Sequence, residues 1–554
     1  MKKIVFIFFL FLATFGTKAQ VNVLDIDVAG GKTQINKNHE MKKLSFFLFF
    51  SLAIFSAKAQ VNVLEIDAAG GKTQINKNIY GQFAEHLGRC IYDGIWVGKD
   101  SPIPNVNGYR KDLLEALQAL KIPVLRWPGG CFADTYHWKN GIGSSADRPK
   151  IKNVFWGGTV EDNSFGTNEF LNLCELLGCD PYISANVGSG TVGEMVDWIE
   201  YMTSDDDVSM ANLRRKNGRE KAWNVKFIGI GNESWGCGGN MTPEFYSDLM
   251  KQYSNYAAMY GGDKFKRVGC GSNGDDTNWT KVMMERGRNN MDGLSLHYYT
   301  IAGEGWNNKS SATNFGEDRY FNGLKKALFM DELVSKHSAI MDEYDKAKRV
   351  DLNVDDWGIW TDVEPGTNPG HLFQQNSMRD ALIASSTLDI LNKHCDRVRM
   401  ANIAQIVNVL QSMILTKGDQ MILTPTYQVF KMYNVHQNAT LLPSNLICEP
   451  YKLGNDQIPA ISSSSSVDKN GKIHVTISNL NPNKEIKLDV NLSGKGFTKI
   501  NSGTILTAAA INTVNTFEKP ETIVPVAFKN AKKLTDNKLE VTIPGKSLVV
   551  LELE

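Results

Sequence analysis

The sequence predicts an α/β protein, a (β/α)8 TIM barrel followed by a C-terminal β-sandwich of jelly-roll type. Three observations predict it. Between Ile79 and Ile406, eight short apolar runs alternate with helical stretches, the alternation that closes a parallel barrel. The ends of those runs are rich in ionisable and amide groups, and chemistry in such barrels gathers at the C-terminal strand ends. After about Tyr433 the helical stretches stop and short runs alternating in the strand period take over.

The N-terminal region comes first. Met1-Lys2-Lys3 precedes an almost wholly apolar run from Ile4 to Phe15, and Thr17-Lys18-Ala19-Gln20 follows. Met41-Lys42-Lys43 opens a second such run to Phe55, ending in Ala57-Lys58-Ala59-Gln60. Each has the charged, apolar and small-residue order of a secretory signal, so export to the periplasm or the extracellular space is expected. Neither run is long enough for a transmembrane helix, and no membrane span is expected in the mature chain. The repeat continues beyond the signals. Val21–Asp27 matches Val61–Asp67 with Asp25 exchanged for Glu65, and Gly30–Asn38 matches Gly70–Asn78. Two copies fall short of a solenoid. The repeat reads as a local duplication, or as an over-long start with Met41 as the working initiator.

The expected organisation is therefore a duplicated signal-peptide region over residues 1–60, with the second signal at 41–59 and a first strand copy at 21–38. A strand joining the sandwich follows over 61–78, then the catalytic barrel over 79–433 and the β-sandwich over 434–554. The barrel strands are expected at Ile79–Phe83, Val124–Trp127, Asp180–Ala185, Val225–Gly231, Arg267–Gly271, Gly293–His297, Leu352–Asp356 and Arg399–Gln405. Leu113, Leu114, Leu117 and Leu120 form one face of a helix over Tyr109–Leu120. Thr242-Pro243 starts another helix with an N-cap and a proline at its first position, and Gly261-Gly262 ends it. Met378–Cys395 is a third. In the sandwich, strands are expected at Lys472–Ser478, Glu485–Leu492, Leu539–Ile543 and Ser547–Leu553, and Ser462–Ser466 reads as a low-complexity stretch.

Bulk composition excludes several functions. Lys+Arg and Asp+Glu are both 60, so the basic excess of a nucleic-acid binder is missing. The eight cysteines are scattered with no CxxC pair, which argues against a zinc ribbon or a thioredoxin-like motif. They are expected to be mostly reduced and buried. No strand is followed by G-x-G-x-x-G, the fingerprint of a dinucleotide enzyme. No metal-ligand spacing stands out, so neither metal nor cofactor is expected.

The chemistry is carried by carboxylates at strand ends. Val225–Ile230 runs into Gly231-Asn232-Glu233, which aims a carboxylic acid out of a sheet edge. A glycosidase needs a second carboxylate facing it, and Asp355-Asp356-Trp357 offers one. Six motifs in order, Gly81–Gly88, Arg126-Trp127-Pro128-Gly129-Gly130, Gly231-Asn232-Glu233, Leu296-His297-Tyr298-Tyr299, Asp362–Gly370 and Ala401–Gln405, together resemble glycoside hydrolase family 51. That family holds the α-L-arabinofuranosidases and a few endoglucanases. The resemblance covers nearly all of the chain from Val61 onward.

The resemblance implies a retaining mechanism with Glu233 as general acid/base and Asp356 in the nucleophile position. It also implies sugar contacts from Asn232, Glu85 and Gln405, and orientation of the two carboxylates by His297 and Tyr299. Arg126 would lie beside the nucleophile and hold it ionised. Asn186 is left as a rim residue. Two positions depart from the commonest pattern. Cys131 stands where many members carry Asn, and Asp356 stands where they carry Glu. Asp is shorter by one methylene, roughly 1.5 Å. That withdrawal moves the pair toward the gap between retaining and inverting spacings and predicts a slowed enzyme. The leading reading is an exo-acting hydrolase releasing terminal α-L-arabinofuranosyl residues from plant polysaccharides or oligosaccharides, with a homo-oligomer left open. A glycan-binding protein that has lost turnover and an endo-β-1,4-glucanase are the alternatives.

Overall fold

The computed structural model describes residues 62–554. The two signal-like segments and the first strand copy, all within residues 1–60, lie outside them.

Asn62–Asp67 (β1) precedes the barrel. The barrel strands are Gly81–Phe83 (β2), Val124–Trp127 (β3), Asp180–Ala185 (β4), Phe227–Ile230 (β5), Lys266–Asn273 (β6), Gly293–Thr300 (β7), Asp351–Ile359 (β8) and Val398–Ala404 (β9). They close in chain order, and every neighbouring pair is parallel. These are the eight apolar runs of the sequence, shifted by a few residues at their ends. Inside the barrel, Val124, Tyr182, Val268 and Met400 pack with Phe227 as a cluster of their own. The Arg126 guanidinium lies 5.8 Å from the Tyr182 ring centroid, and the Tyr182 hydroxyl bonds Asp355. The apolar cluster thus borders charged groups at the C-terminal ends of the strands. The registers of β6 and β8 against β7 shift near that face, between Gly269 and Ser272 and between Ser295 and His297. Gly271 permits the first shift, because a Cβ there would lie 1.5 Å from the Ser295 carbonyl oxygen.

The helices follow the side-chain pattern. Leu113, Leu114, Leu117 and Leu120 are all buried in Lys111–Leu120. It starts two residues later than the periodicity suggests because Tyr109–Arg110 pairs with Asn105–Val106. Pro243–Gly261 begins under Thr242, whose hydroxyl accepts the Phe245 N–H at 3.3 Å. Met378–Lys393 is buried at every residue from Met378 to Asn392, because it runs between barrel and sandwich. Ser385 Oγ lies 2.9 Å from Ser478 Oγ, and the Asn392 amide donates to Ser464 Oγ at 3.2 Å.

The C-terminal half-barrel wall is backed by two antiparallel-dominated sheets. One orders Ser444–Ile447, β1, Ile486–Ser493, Lys538–Ile543 and Ala531–Thr535; the other carries Ile461–Val467, Ile473–Asn479, Ser547–Leu553 and Ile500–Thr507 at its centre. β1 runs parallel to Ile486–Ser493 and antiparallel to Ser444–Ile447. The low-complexity serine stretch forms part of a strand, Ile461–Val467. Ser464, Ser465 and Ser466 are buried within Ile461–Val467, and full pairing with Ile473–Asn479 satisfies their backbone. Among the described residues, no helix is long and apolar enough to cross a membrane.

Candidate active site

A pocket of about 360 Å³ opens at the C-terminal ends of the barrel strands. Seven of the eight residues singled out in the sequence line it: Glu85, Asn232, Glu233, His297, Tyr299, Asp356 and Gln405. Arg126 lies beneath them, fully buried at the end of β3. Trp156, Trp235, Trp306 and Trp360 supply aromatic walls. A wider groove of about 1040 Å³ lies against the sandwich, lined by Asn445–Cys448 and Ile461–Ser465; of its two carboxylates, Asp331 is bonded to Lys393 and His394, and Asp389 to Tyr433, Ser462 and Thr476.

Glu233 reaches the pocket because the chain reverses sharply after β5. Gly231 and Glu233 both adopt positive φ, 83° and 40°, and the second is an unusual conformation for a residue with a side chain. The loop then closes over itself. The Gly236 and Gly238 N–H groups donate to the Glu233 carbonyl at 2.7 and 3.0 Å. A Cβ on Gly238 would lie 1.9 Å from the Asn232 carbonyl oxygen, so only glycine permits this closure.

His297 binds the carboxylates together. Its Nδ1 lies 3.0 Å from Glu233 Oε1 and 3.5 Å from Asp356 Oδ2, and its Nε2 lies 3.4 Å from Asp355 Oδ1. Burial lowers the pKa of His297, but Asp356, Asp355 and Glu233 outweigh it and push it up to about 10. Both ring nitrogens face carboxylate oxygens, an environment that favours the charged ring. Asp355 would also be raised by burial. Arg126, His297 and the Tyr182 hydroxyl, which donates at 2.7 Å, instead hold it down at about 2.

Asp356 is buried, and its burial raises its pKa. His297 and Arg126 work against that rise, Arg126 Nη1 lying 3.8 Å from Oδ2, and the Tyr299 hydroxyl donates to Oδ1. Arg126 itself is fixed by the Asp355 carbonyl at 2.8 Å and by Asn232 Oδ1, with its guanidinium 4.3 Å above the Phe83 ring.

Glu85 is held on the other side of the pocket. Its carboxylate accepts the Gly130 and Phe132 N–H groups at 2.9 and 3.3 Å, the Trp156 indole at 2.9 Å and the Gln405 amide at 2.5 Å. Burial nevertheless raises it to about 7, since the donors only partly compensate. Asn186 takes no part in the pocket. Its amide ties down the following loop through Ser189, Gly190 and Tyr136.

Three features escaped the sequence. Asp355 orients His297 and accepts from Arg126 through its backbone carbonyl; its place beside Asp356 was visible, but alternation along a strand gives no hint that two neighbours serve one cluster. Trp156 comes from a long loop between β3 and β4, which carries no periodic signal. The third is a disulfide. Most cysteines are free and buried as expected, six free and five of those buried, but Cys131 and Cys237 are bridged across 106 residues with Cα atoms 5.5 Å apart. Distant loops at neighbouring strand ends meet only after the barrel closes, so chain spacing could not show it.

The side-chain atoms that Glu233, His297 and Asp356 turn toward one another all lie within 4.8 Å. Retaining carboxyl pairs sit about 5–5.5 Å apart and inverting pairs about 6.5–9.5 Å. The nearest Glu233 and Asp356 oxygens thus face each other across one His297 nitrogen.

Two family models match the chain, the α-L-arabinofuranosidase 1 domain over residues 116–302 and the α-L-arabinofuranosidase C-terminal domain over residues 355–547. A Bacteroides ovatus protein named intracellular exo-α-L-arabinofuranosidase is 55% identical over 478 residues, covering 86% of this chain and 92% of that one. The crystal structure of the GH51 arabinofuranosidase from Xanthomonas axonopodis pv. citri matches with a TM-score of 0.87 at 47% identity, over 89% of this chain and 100% of that one. The Thermotoga maritima α-L-arabinofuranosidase, solved as an arabinose complex, matches with a TM-score of 0.78 at 30% identity, over 89% and 99%. The Bacteroides ovatus name overturns one expectation: an intracellular relative this similar conflicts with a signal peptide, export and a secreted enzyme. Lysines before an apolar run are a compositional signal, which many segments share without being exported.

Proposed function

Because the chain belongs to the α-L-arabinofuranosidases of glycoside hydrolase family 51, we propose that its Glu233 and Asp356 perform a double displacement that retains anomeric configuration. The protein is an exo-acting α-L-arabinofuranosidase; neither a glycan-binding protein without turnover nor an endoglucanase is favoured. The substrates would be terminal arabinofuranosyl groups on plant polysaccharides or oligosaccharides. The observation that carries the mechanism is the approach of both carboxylates to one His297 nitrogen.

In the first step Glu233 gives its proton to the departing glycosidic oxygen while an Asp356 oxygen attacks the anomeric carbon. The C–O bond to the leaving group breaks and an arabinosyl ester forms. In the second step Glu233 takes a proton from water, and that water displaces Asp356. Tyr299 and Arg126 supply positive charge and a donor to the Asp356 carboxylate when it leaves. His297 lies between the two carboxylates and holds their separation. Glu85, Gln405 and Asn232 stand where sugar hydroxyls would be read, with Glu85 drawn in by four donors.

Proton NMR of the sugar first released from an aryl arabinofuranoside tests this reading. Retention of configuration is expected. Glu233→Ala should slow release from a poor leaving group by about 100-fold or more while sparing an activated phenol in the first step. Inversion, or equal losses with both leaving groups, would contradict it.

A further inference from the structure

The Cys131–Cys237 bridge sits on the pocket rim against the proposed acid/base. Cys131 Sγ lies 4.0 Å and Cys237 Sγ 3.5 Å from Glu233 Oε2. Cys131 follows the Pro128-Gly129-Gly130 turn after β3, and Cys237 closes the loop after β5. Two rigid strand ends therefore aim both sulfurs at one carboxylate oxygen. The two sulfurs and that oxygen all lie within 4.8 Å of one another. Cys131, Glu233 and Cys237 are each only partly buried, so an ion can enter from the pocket, whereas Cys90, Cys174, Cys179, Cys270 and Cys395 are buried.

We propose that reduction of this bridge converts the rim into a thiophilic metal site, in which the Cys131 and Cys237 thiolates and the Glu233 carboxylate bind Zn²⁺ and stop sugar turnover. The step balances with a dithiol reductant. The dithiol gives up two electrons and two protons and becomes a cyclic disulfide, and the bridge becomes two thiols. Zn²⁺ then displaces the two thiol protons, since the thiolate is the metal ligand. Two sulfurs and one carboxylate oxygen suit zinc, which takes such ligands at about 2.0–2.3 Å and keeps a fourth position for water. While the bridge stands there are no thiolates, and the site is closed to metal. Once Glu233 Oε2 is held by the metal, the cation's charge makes the carboxylate a much weaker base and it no longer carries the proton that the leaving group needs. Inside cells, dithiol systems keep most thiols reduced, and the Bacteroides ovatus relative is named intracellular.

Metal binding stands on the sulfur geometry alone; its effect on turnover rests on the role given to Glu233. The test uses the full chain, untreated or reduced with dithiothreitol and desalted without air, then given Co²⁺ or Zn²⁺. Reduction should expose two further thiols. The reduced enzyme should show thiolate-to-cobalt charge-transfer absorption and bind one Zn²⁺ per chain, and the untreated enzyme should do neither. Zn²⁺ should lower turnover of the reduced enzyme by about 100-fold, and a chelator should restore it. Cys237→Ser, reduced in the same way, should lose the cobalt band. The site is overturned if the reduced enzyme has its two new thiols and no band, or if the band persists unchanged in Cys237→Ser. Metal binding with undiminished turnover would overturn the inhibitory half of the proposal. Failure of the untreated enzyme to turn over arabinofuranosides would instead strike the reading of Glu233.

Discussion

Asp356 meets Tyr299, His297 and Arg126 with a side chain one methylene shorter than the glutamate its relatives in family 51 commonly carry. Asp356 still shares one His297 nitrogen with Glu233, so retention of configuration is expected to hold. What the shorter chain withdraws is reach toward the anomeric carbon, and a misplacement of about 1 Å can cost on the order of 100-fold. Asp356→Glu should therefore raise kcat on an aryl arabinofuranoside by about 10- to 100-fold with retention preserved, and an unchanged or lower rate would count against the reach argument. His297 and Asp355 make a pH argument at the same scale. His297 stands at about 10 against an ordinary 6.5, so its stabilisation is fully present below 6.5 and is lost as pH rises through about 10. Asp355 stands at about 2 against 3.8, so its stabilisation is present above 3.8 and is lost as pH falls through about 2. Denaturant unfolding across pH should show the alkaline decline in the parent and a flatter one in His297→Gln; parallel curves would refute the link.

At the scale of elements, what was legible follows from local chemistry. The Thr242-Pro243 start was readable because one hydroxyl accepts one N–H, and Thr242→Ala should cost about 1 kcal/mol in thermal or chemical unfolding. The Leu113, Leu114, Leu117 and Leu120 face was readable because a single side packs inward. Met378–Lys393 is readable as a helix but not in its burial. Its Ser385 and Asn392 point to the sandwich, where Ser478 and Ser464 receive them, and nothing local distinguishes such a contact from solvent. Asp389 on that helix belongs to the same contact. Burial raises it to about 7 against the donors Ser462, Tyr433 and Thr476. The serine strand Ile461–Val467 was hidden for the same reason: its partners lie on another element, and serine carries little strand preference of its own.

Across the whole molecule, eight parallel strands were legible because a barrel repeats one unit, and each unit leaves its own apolar run. Most of the site was legible too, since seven pocket residues stand at strand ends in ordered motifs. Asp355, Trp156 and the Cys131–Cys237 bridge were not, because each acquires its partner only when strands distant in sequence close side by side. β1 has a comparable whole-molecule role, since it joins Ser444–Ile447 to Ile486–Ser493. A chain starting at Val61 should keep full activity, while deletion of Asn62–Asp67 should expose two strand edges and lead to aggregation, measurable by light scattering. The direct test of the double displacement is to trap its intermediate. Glu233→Ala, mixed with an arabinofuranoside bearing an activated phenol, should complete the first step and stall in the second. Mass spectrometry of its peptides should then find a single arabinosyl ester, on Asp356. An ester on Glu85 or another carboxylate, or release of phenol with no ester formed, would contradict the assignment of the nucleophile.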